Sequence, residues 1–475
     1  MTRRLVVALA TFGLLLLGAP VARAASTVVN VSDRSTSQSE AAVAASPLDP
    51  NDVVVISNVQ RGYGIFVSVS HDGGTTWART VLGDGDAFGR ACCDPTITWD
   101  PFGNLYVSWL GFAAKPYPTA VPILVSTDAG DSWRRLTTIR PPQPRTRATA
   151  TMLIARADGS AGRDGEEDRG PGSLDQPTIL AGPHALWATW NNDGQMQIAG
   201  ARIRGLGDIA PFRAVRDVPG SVHCTFGDIA IGPGGSLAHV CQKDEAGSSP
   251  RASVFRFTVD PDGLGSAPFT RSRIVARTHV SLFEAIRPQR TRTVDAEVGL
   301  AWLATGPDAG RLVMLFTDEE PDQSDNTNIV VKTSDNGGAT WSPRNEVTSA
   351  VRSQFLPRIA MDAATGRLVA GWHDASLDDG SGPDDTDGTP NSDAMYALAF
   401  SVDGGATWSA PAMVSQGASS AAASYNLIEF GDYTGLGFAF GVAHPAWADN
   451  SNSTGDNPDG TLHAFDVYSS AVPEP

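Results

Sequence analysis

Short apolar runs separated by turn residues recur from one end of the chain to the other. The runs are rich in Val, Ile, Leu and Trp, the segments between them are rich in Gly, Pro and Asp, and helical periodicity is almost absent. Short strands spaced by turn residues are typical of an all-β fold. The pattern therefore predicts an all-β protein.

One unit repeats along the chain: an apolar strand, a Gly/Pro/Asp turn, and a second apolar strand. Its copies begin at Glu40, Asp94, Asp175, Gly227, Asp295, Leu356 and Gly431. Each copy supplies the two inner strands of a four-stranded blade, and third strands are predicted at Ile65–Ser70, Ile123–Ser126, Ser253–Val259, Ile329–Ser334 and Tyr396–Ser401. The count predicts a seven-bladed β-propeller, or a six-bladed one if one unit is distorted.

The seventh unit offers only three strands, whereas Thr27–Ser32 is a spare strand near the N-terminus. Pairing of this strand with residues 464–468 would close the ring and hide the edges that an open array exposes. We expect a single domain at residues 25–470, followed by a tail at 471–475. Residues 141–174 are rich in Pro, Arg and Gly and predict a long loop between blades 2 and 3.

Four related octets follow third strands, at Ser70–Trp77, Ser126–Trp133, Ser334–Trp341 and Ser401–Trp408. Their Ser and Asp side chains suit hydrogen bonds to loop amides, their Gly accepts positive φ, and their Trp suits packing on a sheet. The octets resemble the Asp-box of the bacterial neuraminidase repeat, which occurs in β-propellers of the sialidase superfamily. The third copy departs by carrying Asn336. The resemblance implies that the octets are scaffold on the rim opposite the functional one.

The N-terminus has the layout of a secretory signal. Arg3 and Arg4 precede an apolar run from Leu5 to Leu17, and Ala24 is the expected cleavage point, so residues 1–24 are predicted to be a signal peptide. The run is too short to span a bilayer. We expect a secreted or periplasmic protein with no membrane span.

The net charge limits the kinds of partner that are expected, and the cysteines indicate disulfide bonds. Without residues 1–24 the chain carries 32 basic against 52 acidic side chains, which argues against a nucleic-acid partner, and we expect a monomer. Four cysteines in an exported protein are disulfide candidates. Cys224 and Cys241 flank a hairpin and are predicted to pair. For Cys92-Cys93 a vicinal disulfide competes with two free thiols and with a link from Cys93 to Cys224.

Residues that enter a first strand or leave a second strand should converge on one rim of a propeller. Those predicted to be catalytic are Asp94, Glu429, Asp432 and Tyr433, and those predicted to bind substrate are Arg61, Asp175, Asp228, Arg358 and His373. Sialidases use an Arg cluster that grips a carboxylate and a Tyr nucleophile activated by Glu, which Tyr433 and Glu429 would supply here. The Phe/Tyr-Arg-Ile-Pro motif of that family is absent, because Leu356-Pro357-Arg358-Ile359 runs in another order.

Acidic loops follow the second strands of the later units, at Asp374–Asp393 and Asp449–Asp459 among others. Oxygen ligands in flexible, Gly-containing loops suit Ca²⁺, and the candidate ligands are Asp374, Asp378, Asp384 and Asp449. Solvated acidic loops are the alternative. No cofactor is expected to be required, with Ca²⁺ as an optional one.

These features together favour an extracellular propeller of the sialidase superfamily that acts on glycans or glycoproteins or binds them. If it is an enzyme, it is expected to be a glycoside hydrolase of exo-sialidase type. The alternative is a non-catalytic propeller that binds a glycan or a protein.

Overall fold

The computed structural model describes residues 22–23, 27–60, 62–112, 118–140, 174–245, 247–248, 251–320, 324–424, 426 and 428–475. Three predicted features lie outside these ranges: the cleavage point at Ala24, the substrate-binding residue Arg61, and residues 141–173 of the long loop. In the described part no helix is long and apolar enough to cross a membrane.

The described residues form seven antiparallel sheets, each with a core of four strands, which confirms the predicted all-β class and seven blades. Blades 1 to 3 are built from Ala42–Ala45, Val53–Asn58, Ile65–Ser70 and Ala78–Leu82; from Thr96–Trp99, Leu105–Ser108, Val121–Ser126 and Arg134–Ile139; and from Leu174–Ala181, Ala185–Asn192 and Gln195–Gly205 with Asp208–Ile209 and Arg216–Val222. Blades 4 and 5 are built from Gly227–Ile231, Leu237–Asp244, Ser253–Asp260 and Arg273–Thr278, with a 3₁₀ turn at Pro233–Gly235; and from Gly299–Trp302, Leu312–Glu319, Thr327–Ser334 and Asn345–Glu346.

Both chain ends take part in the last two blades. Blade 6 comprises Gln354–Met361, Leu368–Asp374, Asp393–Ser401 and Ala412–Met413, extended by Ser419–Ser420 and by Ala22–Arg23; blade 7 comprises Gly435–Ala439, Val442–Asp449, Asp466–Ser470 and Val28–Asn30. The N-terminal strand is thus the outermost strand of the last blade, where Val28 pairs with Ser470. The predicted tail is also part of the structure, since Val472–Pro473 pairs with the second strand of blade 7.

The first strand of each blade contacts the first strands of the two neighbouring blades, so the seven first strands form a closed ring. At the junction of blades 7 and 1, a Cβ on Gly435 would lie 3.0 Å from backbone atoms of Ala42 and Val43. Glycine at this position therefore allows the two strands to approach closely enough to close the ring.

The apolar core lies between the blades. Each interface between neighbouring blades has its own buried cluster, and the largest side chains in these clusters include Trp109, Trp187, Trp372 and Trp447. The strands bury residues on both faces because each sheet packs between two others. This explains why the apolar runs read as nearly continuous rather than strictly alternating.

The four octets form loops of one kind. In the first, Ser70 Oγ accepts a hydrogen bond from the Gly74 amide (2.9 Å) and Asp72 Oδ1 accepts one from the Thr76 amide (2.8 Å). The equivalent bonds occur in the other three octets, and in the third the side-chain oxygen of Asn336 accepts from the Thr340 amide at 2.9 Å. All four connect a third strand to a fourth, which puts them on the rim away from the starts of the first strands.

In the described part of the chain, two small sheets lie outside the blades. One comprises Asp84–Asp86, Gly89–Ala91 and Gly111–Phe112, and the other is a hairpin of Glu284–Ile286 and Gln289–Val294 in the connection between blades 4 and 5. Both connections belong to the rim at which the first strands begin.

Candidate functional site

Five blades share an unusual backbone conformation at the same place. Two residues before the uninterrupted pairing of the innermost strand begins, φ is positive at Glu40 (55°), Asp94 (53°), Gln176 (47°), Glu297 (47°) and Leu356 (51°). In blades 3 and 6 this position lies in an irregularity that follows two paired residues. Positive φ is uncommon for residues other than glycine and carries a cost in free energy. Its recurrence shows that the entrance to the first strand is a shared feature of the blades, and three of these five positions carry a carboxyl group.

Glu40 and Asp432 are joined by the guanidinium group of Arg292. Arg292 Nε donates to Asp432 Oδ1 (2.6 Å), and Nη2 donates both to Asp432 Oδ2 and to Glu40 Oε1 (3.3 Å). The other oxygen of Glu40 accepts a hydrogen bond from Asn58 Nδ2 (2.8 Å). Three parts of the chain therefore meet here: the starts of blades 1 and 7, and the hairpin between blades 4 and 5.

This group of charges is largely removed from water. The side chain of Glu40 is 3% exposed, that of Asp432 17% and that of Arg292 26%. Burial raises the pKa of Glu40 to about 7, with a contribution from Asp432 in the same direction and opposing ones from Arg292 and Asn58. A carboxyl group with such a pKa can hold a proton near neutral pH and release it.

Asp94 and Tyr433 lie in the same electrostatic environment. Burial raises the pKa of Asp94 well above its usual value, and the negative charges of Glu40, Asp175 and Asp432 raise it further. Its Oδ2 accepts a hydrogen bond from the amide of Gln176 (2.9 Å) in blade 3. Burial likewise raises the pKa of Tyr433, aided by Asp94 and Glu40, and its hydroxyl is buried with no hydrogen-bond partner among the described residues.

The predicted pairing of Tyr433 with Glu429 is not formed. Glu429 instead accepts hydrogen bonds from the amides of Thr291 (3.2 Å) and Arg292 (3.2 Å) on the hairpin. A raised pKa keeps a tyrosine protonated, whereas a nucleophile must lose its proton. We therefore do not assign the nucleophile to Tyr433, and Glu429 is better described as a hairpin anchor.

Asp228, Glu297 and Arg358 surround the same axis from blades 4 to 6. Asp228 accepts hydrogen bonds from the amides of Ile229 (2.8 Å) and Leu300 (2.8 Å), which ties blade 4 to blade 5. Burial raises the pKa of Asp228 and of Glu297, and in both cases the positive charge of Arg358 opposes the rise. Asp295, which begins the repeat unit of blade 5, accepts from the Phe283 amide (2.8 Å), and burial raises its pKa as well.

The structure places the predicted ligand His373 in the apolar core. It is 1% exposed and packs against the rings of Phe355, Tyr396 and Phe430. Burial lowers the pKa of His373 to about 3, so it is neutral at physiological pH. We therefore leave it out of the substrate-binding set.

Two of the predicted metal ligands have structural partners instead. Asp374 accepts hydrogen bonds from Trp372 Nε1 (2.8 Å) and the Ser376 amide (2.8 Å), and Asp449 accepts from Trp447 Nε1 (3.0 Å) and the Ser451 amide (2.7 Å). The same arrangement thus ends the second strand in blades 6 and 7. Among the described residues, the carboxylates that approach one another are Asp378, Asp385 and Asp393, with one oxygen from each lying within 4.8 Å of the others. This set keeps Asp378 and replaces Asp384 with its neighbour Asp385.

Both disulfides are present, and no free cysteine remains. Cys224 and Cys241 are linked as predicted, although the ladder partner of Cys241 is Gly227 and Cys224 lies in the loop before the strand. Cys92 is linked to Cys93, immediately before Asp94. Close to this start of blade 2, Tyr63 is 46% exposed, contacts Phe112 edge to face, and has the Arg90 guanidinium 4.9 Å from its ring centre.

Sequence reasoning missed Arg292 and Glu297. Glu297 was missed because the repeat unit begins two residues earlier, at Asp295, and that residue represented the strand entrance of blade 5. The signal that could have found Arg292 is a cluster of basic residues in a connection between two blades, Arg287-Pro288-Gln289-Arg290-Thr291-Arg292. Such a cluster is unusual in an acidic chain with net charge −17.

Comparison with known proteins gives a likeness of fold at low identity. The Penicillium chrysogenum alpha-L-arabinanase, in its complex with arabinobiose, is 12% identical, with 80% of this chain and 97% of that chain aligned and a TM-score of 0.46. For the phage phi92 endosialidase the values are 10% identity, 97% and 72% coverage and a TM-score of 0.48, and for the Trypanosoma rangeli sialidase they are 10%, 94% and 59%, and 0.44. No protein-family model matches the sequence, and no curated protein matches it. The site must therefore be interpreted from its own residues.

Proposed function

We propose that the protein is a secreted glycoside hydrolase in which Glu40 is the general acid and Asp432 is the second, ionised carboxylate. One observation carries this proposal: two carboxyl groups at the axis share a single guanidinium group, and one of them has its pKa raised to about 7. Most glycoside hydrolases need such a pair, one protonated and one ionised.

The environments of the two carboxyl groups suit these different roles. Glu40 is the more deeply buried of the two, which favours its neutral form. Asp432 accepts two hydrogen bonds from Arg292, a bidentate arrangement in which the guanidinium group faces both carboxyl oxygens. The protonated group would give its proton to the leaving oxygen, and the charged group would attack or stabilise the anomeric carbon.

The separation of the pair predicts the stereochemistry. Because one nitrogen of Arg292 bonds both groups, their nearest oxygens lie no more than two hydrogen-bond lengths apart, about 6 Å. Carboxyl groups lie about 5–5.5 Å apart in retaining enzymes and about 6.5–9.5 Å apart in inverting ones. On the premise that the two groups keep this separation when substrate binds, we predict hydrolysis with retention of configuration, which proton NMR of the first-formed sugar anomer would check. An inverted first product would contradict the assignment of Asp432.

The charge of the site favours neutral sugars. Among the described residues around the axis, carboxyl groups outnumber the arginines, which are Arg292 and Arg358, and Arg292 is already paired. An anionic sugar such as a sialoside would meet repulsion from the acidic groups. The proposed substrates are therefore neutral glycans or glycoproteins outside the cell, where the two disulfides would be stable.

A panel of fluorogenic glycosides, with neutral sugars and one sialoside, tests the function. Hydrolysis of a neutral glycoside that is lost in Asp432→Asn supports the proposal. The second candidate, a propeller that binds glycans without turnover, is favoured by the burial of Glu40, which no substrate reaches in this conformation. Binding on a glycan array without hydrolysis of any glycoside would replace the enzyme proposal by this one.

A calcium site at Asp378, Asp385 and Asp393 is proposed as the optional cofactor site. Asp393 Oδ2 accepts a hydrogen bond from the Thr386 amide (2.5 Å), whereas its Oδ1 is buried without a hydrogen-bond partner in the described part of the chain. Added Ca²⁺ should raise the melting temperature of the EDTA-treated protein, and Asp393→Asn should remove the rise. An equal melting temperature with Ca²⁺ and with EDTA would show a solvated loop.

A further inference from the structure

The hairpin of Glu284–Ile286 and Gln289–Val294 belongs to no blade. In the described structure its two strands pair only with each other, and its tip reaches across the axis from blades 4 and 5 to blades 7 and 1. A two-stranded hairpin is marginally stable by itself. Its position over the carboxyl pair therefore depends on the contacts that dock it there.

The base and the tip of the hairpin are held by different forces. Ile286 and Val294 are buried in one apolar cluster with Phe355 and Phe430, and exposing either would cost about 1.5–3 kcal/mol. The tip between them, residues 287–293, is docked by hydrogen bonds, and within the hairpin Gln289 also pairs with Ile286. Any movement is therefore expected to be confined to the tip.

The docking contacts of the tip are polar. Gln289 Nε2 donates to the Gly431 carbonyl (2.9 Å), the Phe430 amide donates to Gln289 Oε1 (3.2 Å), and the amides of Thr291 and Arg292 donate to Glu429. Arg292 adds its bonds to Asp432 and Glu40. Water or a polar ligand can replace each of these bonds, in contrast to the apolar contacts of the base.

Backbone strain lies where the tip joins the base. Thr293 has a φ of 70°, a conformation that is a genuine outlier for a β-branched residue. Such strain persists only where the surrounding contacts impose it, and it concentrates at segments that switch conformation. Release of the tip would let Thr293 relax.

We propose that residues 287–293 form a movable lid over the axial carboxyl groups and that Arg292 is its latch, so that a sugar reaches Glu40 and Asp432 only after Arg292 has left them. The identity of the ligand rests on the proposed function, but the movement of the lid does not. Arg292 is a positioning residue in this scheme. It orients the carboxyl pair when the lid is closed and uncovers the pair when the lid opens.

The latch depends on the charge of Glu40, which is set by many neighbours. Glu40 faces Asp94, Asp175, Glu297, Asp432, Tyr433, Arg292 and Asn58. Loss of its charge at low pH weakens one ion pair of Arg292 and leaves the bonds to Asp432. The tip also carries Arg287 and Arg290, whose charges oppose the rise that burial causes in the pKa of Asp325 and do not depend on Glu40. The lid should therefore loosen, without detaching completely, as pH falls below 7.

Hydrogen exchange monitored by mass spectrometry tests the lid in the full chain. Arg292→Gln should accelerate exchange of the tip amides by about tenfold or more relative to the wild type, and the blades should be unaffected. Arg290→Gln is the matched control, because Arg290 is exposed on the same hairpin and its charge acts on Asp325, whereas Arg292 bonds Glu40 and Asp432. Equal tip exchange in the two variants would overturn the latch.

A second measurement follows the accessibility of Glu40 and includes a more conservative variant, in case Arg292→Gln misfolds. Carbodiimide-mediated amine labelling of Glu40, quantified in the same peptides, should increase in Arg292→Gln and increase less in Arg292→Lys, which keeps the charge. Labelling at the wild-type level in both variants would also overturn the proposal. A mobile lid in a protein that hydrolyses no glycoside would refute only the proposed function, and hydrolysis under an immobile hairpin would refute only the lid.

Discussion

Glu40→Gln is expected to lower kcat on the best glycoside by about 10²–10⁴-fold, the range that a positioned general acid contributes. Gln keeps the size of the side chain and its one oxygen can accept from Asn58 or from Arg292, but it has no acidic proton to give to the leaving oxygen. The rate of the wild type should fall as pH rises through about 7, because that is the pKa to which burial raises Glu40. Initial rates across pH 5–9 for both proteins measure the two effects together.

Glu297→Gln is the matched control for this substitution. Glu297 occupies the equivalent left-handed position in blade 5, and burial raises its pKa well above the usual value, so a neutral amide resembles the form already present. We expect less than about a tenfold change in kcat for this variant. If Glu40→Gln retained wild-type activity, or if both variants lost the same activity, Glu40 would not be the acid.

The raised pKa of Glu40 also makes the stability of the folded protein depend on pH. Because the folded state raises the pKa of Glu40 from 4.5 to about 7, it binds the proton more tightly than the unfolded state does. The resulting stabilisation is complete below pH 4.5 and is lost as pH rises through 7. Glu40→Gln should therefore lose less stability than the wild type between pH 5 and 8, by a difference on the order of 2 kcal/mol in the free energy of unfolding.

The fold was predictable because its determinants are local and repeated. Strand Ile65–Ser70 was bounded correctly by its apolar residues and the turn that follows, and the repeat unit supplied the blade count. The strand that closes the ring could be predicted because the seventh unit has only three strands and Thr27–Ser32 is a spare strand. Docking of Val472–Pro473 was missed, since two residues carry no pattern.

The site was predictable only in part, because its geometry depends on contacts across the axis. Glu40, Asp94 and Asp432 could be placed on one rim from their position in the repeat unit. Arg292 could not, because the basic segment that contains it does not show that the connection between blades 4 and 5 crosses to blades 7 and 1. Asp374 and Asp449 were predicted to be calcium ligands because the sequence does not show their hydrogen bonds. In each case the indole NH of a Trp two residues earlier donates to the carboxylate.

The second large effect concerns the closure of the ring, where Asp466 connects the last strand to the first. Asp466→Ala is expected to lower the free energy of unfolding by about 3 kcal/mol or more. Its carboxylate is fully buried and accepts hydrogen bonds from Asn30 Nδ2 (2.7 Å), Ser32 Oγ (2.8 Å) and the Arg34 amide (3.2 Å). The substitution leaves all of these donors without their acceptor at the only seam where the two ends of the described chain pair within one blade.

Urea unfolding of Asp466→Ala and Asp33→Asn measures the effect against a control in the same region. Asp33 is exposed and its ion pair with Arg79 spans 3.5 Å, so its loss should cost at most about 1 kcal/mol. Burial raises the pKa of Asp466 to about 6, so its contribution is complete below the unfolded-state value and decreases as pH rises through 6. The difference between the two variants should therefore be largest below pH 3.8 and smallest above pH 6. Equal midpoints would mean that backbone pairing of Val28–Asn30 holds the ring closed without the side chain of Asp466.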